Sequence, residues 1–318
     1  MMAVLSIVAG LALLTAGGEG LVRAAVSLAR RSGLPTMLIG VTIVGAATSM
    51  PELVVSLQAA IEGNPGIAVG NVVGSNIANL ALGLGVMGVL APFTVRRRAL
   101  WYDIFALIMA SIMFLWLGMV GTITRGAGMF MVLALVLHLW STYRRDKRER
   151  DAVADLHAEE SAEFSGHWPP PVSFTILVIA TAMLVGGARL LLNGAIPLAE
   201  MWGVSDTVIG ASVVAIGTSL PEIATTAAAA LRREHEVALG NLMGSSLFNL
   251  LGILGATAVI QPIPLDSAFV YTSGGVALGV VLLSTPWLNG GRWFGRTVGW
   301  AFLGGYLLYI VLTTGLLG

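Results

Sequence analysis

"GAATSMPELV" occupies residues 45–54 and interrupts an apolar run that is long enough to cross a membrane. It places a threonine, a serine, a proline and a glutamate at a depth where the bilayer supplies no water. A carboxylate there costs at least about 2.5 kcal/mol on an insertion scale, so Glu52 requires a partner or a function. A second copy, "AIGTSLPEIA", occupies residues 215–224. The fold and the site are both inferred from this pair.

The composition is that of a membrane protein. Of 318 residues, 56% are hydrophobic and 11% are charged, and the mean hydropathy is +0.87; a soluble domain carries about 25% charged residues. The absence of cysteine excludes disulfides, thiol catalysis and cysteine-ligated metals, and the four histidines lack the spacing of a zinc site. The first apolar run has no basic residues before it and is too long for a signal peptide, so we interpret it as a transmembrane helix.

Ten segments are long and apolar enough to span a bilayer, which needs about 20 residues for each helix. The sequence therefore predicts an all-α integral membrane protein. The predicted spans are 2–28, 36–61, 66–91, 99–118, 122–142, 172–196, 205–231, 236–260, 268–287 and 296–316.

The basic residues predict the orientation of these spans. If the N-terminus lies outside, 14 of the 17 lysines and arginines fall in cytoplasmic segments, as the positive-inside rule requires. Residues 143–171 are charged and lack a spanning run, so we expect a cytoplasmic linker that is too short for a folded regulatory domain. The expected location is the cell membrane.

The linker divides the chain into two similar halves, residues 1–142 and 172–318. Residues 40–92 align with residues 210–262 at a constant offset of 170. Because each half contains five spans, an odd number, two similar halves must cross the membrane in opposite directions. The sequence thus predicts two inverted-topology repeats of five helices, the plan of secondary transporters that bind substrate near the midplane.

Each copy of the motif carries an oxygen-rich set of side chains. Proline in a helix cannot donate to the carbonyl four residues earlier, so Pro51 and Pro221 are expected to loosen carbonyl oxygens near the glutamates. Oxygen ligands suit hard cations such as Ca²⁺, and two glutamates balance one Ca²⁺ or two Na⁺. The candidate ligands are Glu52, Thr48, Ser49, Ser75 and Asn79 in the first half and Glu222, Thr218, Ser219, Ser245 and Asn249 in the second.

Structural roles are the alternative for single residues of the motif. Proline often only kinks a transmembrane helix, and serine, threonine and glycine are common at helix contacts. We expect Gly70, Gly74, Gly240 and Gly244 to allow close helix packing, and Asn71 and Asn241 to brace helix ends. Other functional classes are an intramembrane enzyme, which would need a nucleophile–base pair or catalytic aspartates not found at membrane depth, and a channel, which would not exchange ions obligatorily.

The two copies closely resemble the alpha-repeats of the sodium/calcium exchanger family, within the cation/calcium antiporter superfamily. The resemblance rests on "ATSMPE" with "GNVVGSNIAN" and on "GTSLPE" with "GNLMGSSLFN". It implies a prokaryotic-type antiporter that exchanges Ca²⁺ for Na⁺ by alternating access, with no enzymatic activity, cofactor or nucleic-acid partner. The residues of the two motifs resemble the sodium-coupled more than the proton-coupled members, and a cation/H⁺ antiporter is the alternative.

The same resemblance implies roles for individual residues. Glu52 and Glu222 would be the central carboxylates, with ligands from the hydroxyl and carbonyl groups around them. Asn249 departs from the pattern, because many relatives carry aspartate there, and this leaves ion selectivity and stoichiometry open. Ala47 stands where glycine is frequent, and Ser246 where asparagine is frequent.

Overall fold

Helices account for nearly all of the described chain. The computed structural model describes residues 2–32, 36–95, 99–154, 168–201, 215–289 and 291–314. Within these ranges, eight helices are long and apolar enough to cross a membrane, and a bent pair, Gly40–Thr48 with Met50–Ile61, brings the number to nine. The prediction of a helical, multi-pass membrane protein is therefore confirmed, with eight or nine candidate spans in the described ranges.

The first half consists of α-helices with two short π-helical insertions. Its segments are α1 (Met2–Ser32), α2 (Thr36–Ile39), π1 (Gly40–Val44), α3 (Gly45–Thr48), α4 (Met50–Ile61), α5 (Pro65–Ile77), π2 (Ala78–Gly83), α6 (Leu84–Leu90), α7 (Ala99–Val120) and α8 (Arg125–Ala154).

The second half follows the same plan and also contains two π-helical segments. Its segments are α9 (Pro170–Met201), α10 (Ala215–Leu231), α11 (His235–Leu247), π3 (Phe248–Ile253), α12 (Leu254–Ile260), α13 (Ser267–Phe269), π4 (Val270–Gly274), α14 (Gly275–Leu288) and α15 (Arg296–Thr314).

Most predicted spans agree with these helices to within a few residues, and two differ. α8 begins at Arg125 and continues to Ala154, so the first part of the predicted linker is helical. Of the predicted span 205–231, residues 215–231 form α10, and residues 202–214 lie outside the described residues. The remainder of the predicted linker, residues 155–167, also lies outside them.

Four two-residue strands, which the sequence did not indicate, join the loops of the two halves. β1 (Phe93–Thr94) pairs antiparallel with β4 (Trp293–Phe294), and β2 (Thr122–Ile123) pairs antiparallel with β3 (Ile263–Pro264). The rings of Phe93 and Phe294 stack with centroids 5.0 Å apart. Each pair therefore ties one loop of the first half to one loop of the second.

The centre of the bundle is formed by two equivalent spans, one from each half. In the most apolar stretch of α5–π2–α6, 83% of the residues are buried, and in that of α11–π3–α12, 72% are buried; the other six candidate spans range from 17% to 44%. The helices that follow each copy of the motif are therefore the core of the molecule.

α1 and α9 pack against each other in an apolar cluster separate from this core. A Cβ atom at Gly10 would lie 2.7 Å from the carbonyl oxygen of Gly187, and one at Gly17 would lie 2.9 Å from that of Ala180. Because the contacted positions in α9 fall as those in α1 rise, the two helices are antiparallel. Small residues let their backbones approach this closely.

Candidate functional site

The helix that carries Glu52 breaks directly before it. The segment ending at Thr48 and the segment beginning at Met50 meet at an angle of 50°. Ser49 lies between them with φ −83° and ψ 5°, and Pro51 lacks the amide hydrogen that would continue the ladder. The distortion expected at the first proline is thus confirmed. The second copy differs, because α10 continues through Pro221 without a break.

Both glutamates are completely buried, with 0% exposure for Glu52 and for Glu222. In the part of the chain that the structure describes, no ion pair joins either carboxylate to a cationic side chain. The same part contains no group of three or more histidine, aspartate or glutamate side chains that could hold a metal ion. The site therefore offers two carboxylates among neutral oxygens, and an ionised pair needs a counter-charge from outside the protein.

Hydroxyl groups link each carboxylate to the opposite half of the chain. Ser49 Oγ donates to Glu222 Oε1 at 3.1 Å. Ser75 Oγ lies 3.5 Å from Glu52 Oε1 and 3.3 Å from the Thr218 hydroxyl, which belongs to the second half. The fold thus brings residues that are 173 and 143 positions apart in sequence into contact across the two halves.

Thr48 in the first half makes the corresponding contacts with the second half. Its hydroxyl lies 3.1 Å from Asn241 Oδ1 and 3.2 Å from Ser245 Oγ, both in α11. Ser245 Oγ also lies 3.3 Å from the carbonyl oxygen of Gly45, so its single proton serves either this carbonyl or the Thr48 hydroxyl. Motif residues from α3 therefore contact the helix that follows the second copy of the motif.

Two buried asparagines hold the glutamate helices in place. Asn71 Nδ2 donates to the carbonyl oxygen of Glu52 at 3.3 Å and to Ser56 Oγ at 3.0 Å, while its Oδ1 accepts from Thr218. Asn241 Nδ2 donates to the carbonyl oxygen of Glu222 and to Thr226 Oγ1, each at 3.1 Å, while its Oδ1 accepts from Thr48. The expectation that they brace helix ends was too limited, since each side chain spans both halves.

Several buried polar atoms in the site have no hydrogen-bond partner among the described residues. These atoms include the second oxygen of each glutamate, although both side chains are fully buried. Buried polar atoms are normally satisfied, so such a cluster indicates a ligand. The atoms are Glu52 Oε2, Glu222 Oε2, Ser219 Oγ and both amide atoms of Asn79 and of Asn249.

Asn79 and Asn249 lie at equivalent places in the two central spans. Each is the second residue of a π-helical segment, π2 or π3, and each is completely buried. π2 packs against α10, which carries Glu222, and π3 packs against α4, which carries Glu52. π-helical turns are frequent at functional sites. The π-helical segment that carries each asparagine thus packs against the glutamate helix of the other half.

The motif glycines are not equivalent. A Cβ atom at Gly244 would lie 2.6 Å from Val41 Cα, and one at Gly45 would lie 2.9 Å from the backbone nitrogen of Ser245. The predicted close packing is therefore confirmed at Gly244. It is wrong at Gly70, where an added Cβ would meet nothing within 4 Å. Gly70 instead lines a cavity of about 710 Å³ that reaches Asn71 and Gly74.

Comparisons with known proteins agree with these features. The profile of the family described as "Sodium/calcium exchanger protein" matches residues 2–144 and 172–315. The inner membrane protein YrbG of Escherichia coli is 32% identical over 309 residues, which cover 96% of this chain and 95% of YrbG. The sodium/calcium exchanger MaX1 of Methanosarcina acetivorans is 30% identical over 321 residues, which cover 87% of this chain and 90% of MaX1.

A solved structure of the sodium-calcium exchanger NCX_Mj has the same fold. It superimposes with a TM-score of 0.82 at 28% identity and covers 98% of both chains. The family profile matches both halves and leaves out most of the region between them. The chain therefore belongs to the sodium/calcium exchanger family, whose members and fold are those of multi-pass membrane transporters.

Proposed function

We propose that this cation/calcium antiporter exchanges Ca²⁺ for Na⁺ by alternating access. One observation carries the proposal: two fully buried glutamates, one from each half, each accept a hydrogen bond from a motif serine at one carboxylate oxygen, while their second oxygens lack partners in the described residues. The proposed ligands are oxygens of Glu52, Thr48, Ser49, Ser75 and Asn79 and of Glu222, Thr218, Ser219, Ser245 and Asn249.

The chemistry of this ligand set favours a hard cation. Ca²⁺ takes 6–8 oxygen ligands with carboxylates among them, and the set combines carboxylate, hydroxyl and amide oxygens. Two carboxylates neutralise either one Ca²⁺ or two Na⁺, so the two ions would compete for the same oxygens. A carrier whose buried charges must be neutralised before it changes conformation would exchange one ion for the other. The solved structure of NCX_Mj comes from a protein soaked with Na⁺ and Ca²⁺, and MaX1 is named a sodium/calcium exchanger.

Asn249 sets this site apart from the pattern that many relatives follow. With asparagine at this position and at Asn79, the amides are a matched pair and the glutamates are the only carboxylates among the ten proposed ligands. The proposed site therefore binds a divalent cation without excess negative charge. It also has no third carboxylate that could take up a proton during exchange.

A parity argument supports ten spans. β2 and β3 belong to one sheet and so lie on the same side of the membrane, which requires an even number of crossings between them. Three candidate spans lie between these strands, namely Arg125–Arg145, Pro170–Leu191 and His235–Ile260. A fourth crossing is therefore needed between residues 202 and 231, where α10 lies. With the bent pair counted as one span, the total is ten.

Two observations support inverted halves. α1 and α9, the first helices of the two halves, are antiparallel. The hydrogen bonds of Asn71 and Asn241 are reciprocal, as a two-fold relation between the halves would produce. We accordingly propose repeats at residues 1–142 and 172–318, a cytoplasmic linker at 143–171, and an outside N-terminus. The family profile, which matches residues 2–144 and 172–315, agrees with this division.

Counterflow in proteoliposomes tests the proposal. Purified protein is reconstituted, and uptake of radiolabelled Ca²⁺ is followed under an imposed Na⁺ gradient or an imposed pH gradient. We expect uptake with the Na⁺ gradient and only background uptake with the pH gradient alone. Uptake that follows the proton gradient and ignores Na⁺ would contradict sodium coupling. Fluxes far above carrier rates without exchange would contradict an antiporter.

A further inference from the structure

A hydrogen-bonded pair of titratable side chains lies outside the proposed ion site. His138 Nε2 is 2.8 Å from Asp103 Oδ1 and joins α8 to α7. Asp103 is 1% exposed, and the His138 side chain is 12% exposed. Both residues lie within candidate membrane spans, Leu100–Val120 and Arg125–Arg145. Ionisable residues at such positions are costly and generally mark a function, yet the proposed exchange uses neither of them.

The second half contains the same link in a neutral form. Asp103 corresponds to Ser273 at the offset of 170 residues, and His138 corresponds to Tyr309 at an offset of 171 residues between α8 and α15. The Tyr309 hydroxyl donates to Ser273 Oγ at 3.4 Å. The two links therefore occupy equivalent places, and only the link in the first half pairs an imidazole with a carboxylate.

Glycine contacts support this correspondence. A Cβ atom at Gly128 in α8 would lie 2.6 Å from the carbonyl oxygen of Gly255, and one at Gly299 in α15 would lie 2.8 Å from the carbonyl oxygen of Gly85. Gly85 and Gly255 are themselves equivalent at the offset of 170. α8 and α15 thus pack on equivalent central spans in the same register.

The titratable link holds the helices that flank Asn249. Both α7 and α8 pack against π3, the segment that contains Asn249. One turn before His138, Leu135 Cδ2 lies 3.0 Å from the position of a Cβ atom built on Gly252 in π3. The pair therefore lies between two helices that both contact this turn.

We propose that Asp103 and His138 form a proton-sensitive clamp that positions π3, and with it the amide of Asn249, in the cation site. Histidine is the side chain whose charge normally changes between about pH 5 and 8. A protonated imidazole makes a charge-assisted bond to the carboxylate, which is about twice as strong as a neutral one. The clamp is therefore stronger when the imidazole carries the proton than when it is neutral.

Other titratable and charged groups lie on the elements packed against α7 and α8. The elements packed against these helices are α2, α11, α12, α14, π3, π4 and β2. Among the described side chains, these elements carry three titratable or charged groups, His235, Glu236 and Tyr271. Besides the pair itself, α7 and α8 carry Tyr102, Arg125, Tyr143, Arg144 and Arg145. The guanidinium of Arg145 lies 4.2 Å from the ring of Tyr102, beside Asp103 in sequence.

The second half supplies the variant that tests the clamp. The double variant Asp103→Ser/His138→Tyr replaces the titratable pair by the neutral pair found at Ser273 and Tyr309. Equilibrium binding of radiolabelled Ca²⁺ is measured for purified protein from about pH 5.5 to 8.5, the range that spans histidine titration. In the unsubstituted protein, affinity is expected to fall at acidic pH, where protons compete at Glu52 and Glu222, and to fall about fivefold at alkaline pH. In the double variant, Ca²⁺ affinity is expected to fall at acidic pH as before and to show no fall at alkaline pH.

An alkaline fall that persists in the double variant overturns the clamp, as does its absence from the unsubstituted protein. If the double variant does not fold, His138→Gln provides the same test, since glutamine keeps a neutral donor for Asp103. The clamp rests on the proposed function only through the identity of the cation. A second readout is independent of it: the unfolding temperature of the metal-free protein is expected to drop with rising pH across the same range, and this drop is expected to be larger in the unsubstituted protein than in the double variant, where only the two buried glutamates contribute to it. An equal drop in both proteins also overturns the clamp.

Discussion

Replacing Thr48 by valine tests the network that joins the two halves. Valine keeps the shape of threonine and removes the hydroxyl, so the two contacts with the second half, to Asn241 Oδ1 and Ser245 Oγ, are lost. Hydrogen bonds between membrane helices contribute about 0.6 kcal/mol on average and up to about 1.7 kcal/mol. Two such bonds give about 1–3 kcal/mol, which corresponds to a fall in Ca²⁺ affinity of about 5- to 150-fold if the loss falls on the ion-bound state.

The assay is Na⁺-driven uptake of radiolabelled Ca²⁺ into proteoliposomes, with KM and kcat determined separately. Thr285→Val is the matched control, because among the described residues the Thr285 hydroxyl bonds within α14 alone, to the carbonyl oxygen of Val281 at 2.9 Å. Thr218→Val removes the equivalent hydroxyl in the other half and is expected to raise KM in the same way. A KM for Thr48→Val within about twofold of the control would refute the argument that this network holds the site together.

Two further predictions concern single positions. Gly244→Ala is expected to destabilise the protein by about 1–3 kcal/mol, because the added Cβ would collide with the backbone of Val41. Gly70→Ala adds its Cβ in open space and is expected to leave the unfolding temperature unchanged. Equal effects of the two substitutions in thermal unfolding would contradict this difference in packing. Asn249→Asp adds a third carboxylate to the proposed site and is expected to strengthen Ca²⁺ binding about tenfold at alkaline pH and to steepen its loss on acidification. Asn79→Asp is the equivalent change in the first half, and unaltered pH dependence of binding in both variants would show that these amides do not face the ion.

The helices and the main features of the site could be predicted from the sequence because membrane insertion leaves few choices. A long apolar run must satisfy its own backbone, so it forms a helix whatever its detailed residues are. The repeat at an offset of 170 then places Glu52 and Glu222 at equivalent depths without any knowledge of contacts. The bond from Ser49 to Glu222 and the contact of Ser75 with Thr218 each join the two halves, which is consistent with that placement.

The differences between the halves could not be read from the motifs. Pro51 and Pro221 follow the same Thr-Ser-x-Pro-Glu pattern, yet the helix breaks only at the first copy. Proline removes one backbone bond in both, and neighbouring helices decide whether the chain bends there. The four short strands were also missed, since two residues give no periodicity and their pairing depends on loops from opposite halves.

The contacts that Asn71 and Asn241 make with the opposite half were not predicted, for a related reason. In sequence each follows a glycine near the start of a span, which is a position compatible with helix bracing. Their contacts with Thr218 and Thr48 depend on how the two halves meet. The one available signal was that both asparagines recur at the offset of 170.

Equilibrium binding of radiolabelled Ca²⁺ tests most directly whether Glu52 and Glu222 share one cation site. Purified protein is titrated in the absence and presence of excess Na⁺, and Glu52→Gln and Glu222→Gln are titrated in parallel, with folding checked by thermal unfolding. The shared site predicts one Ca²⁺ per chain, displaced by Na⁺, and loss of this binding in each single variant. Two Ca²⁺ per chain, with one retained in each variant, would show two separate sites and contradict the account.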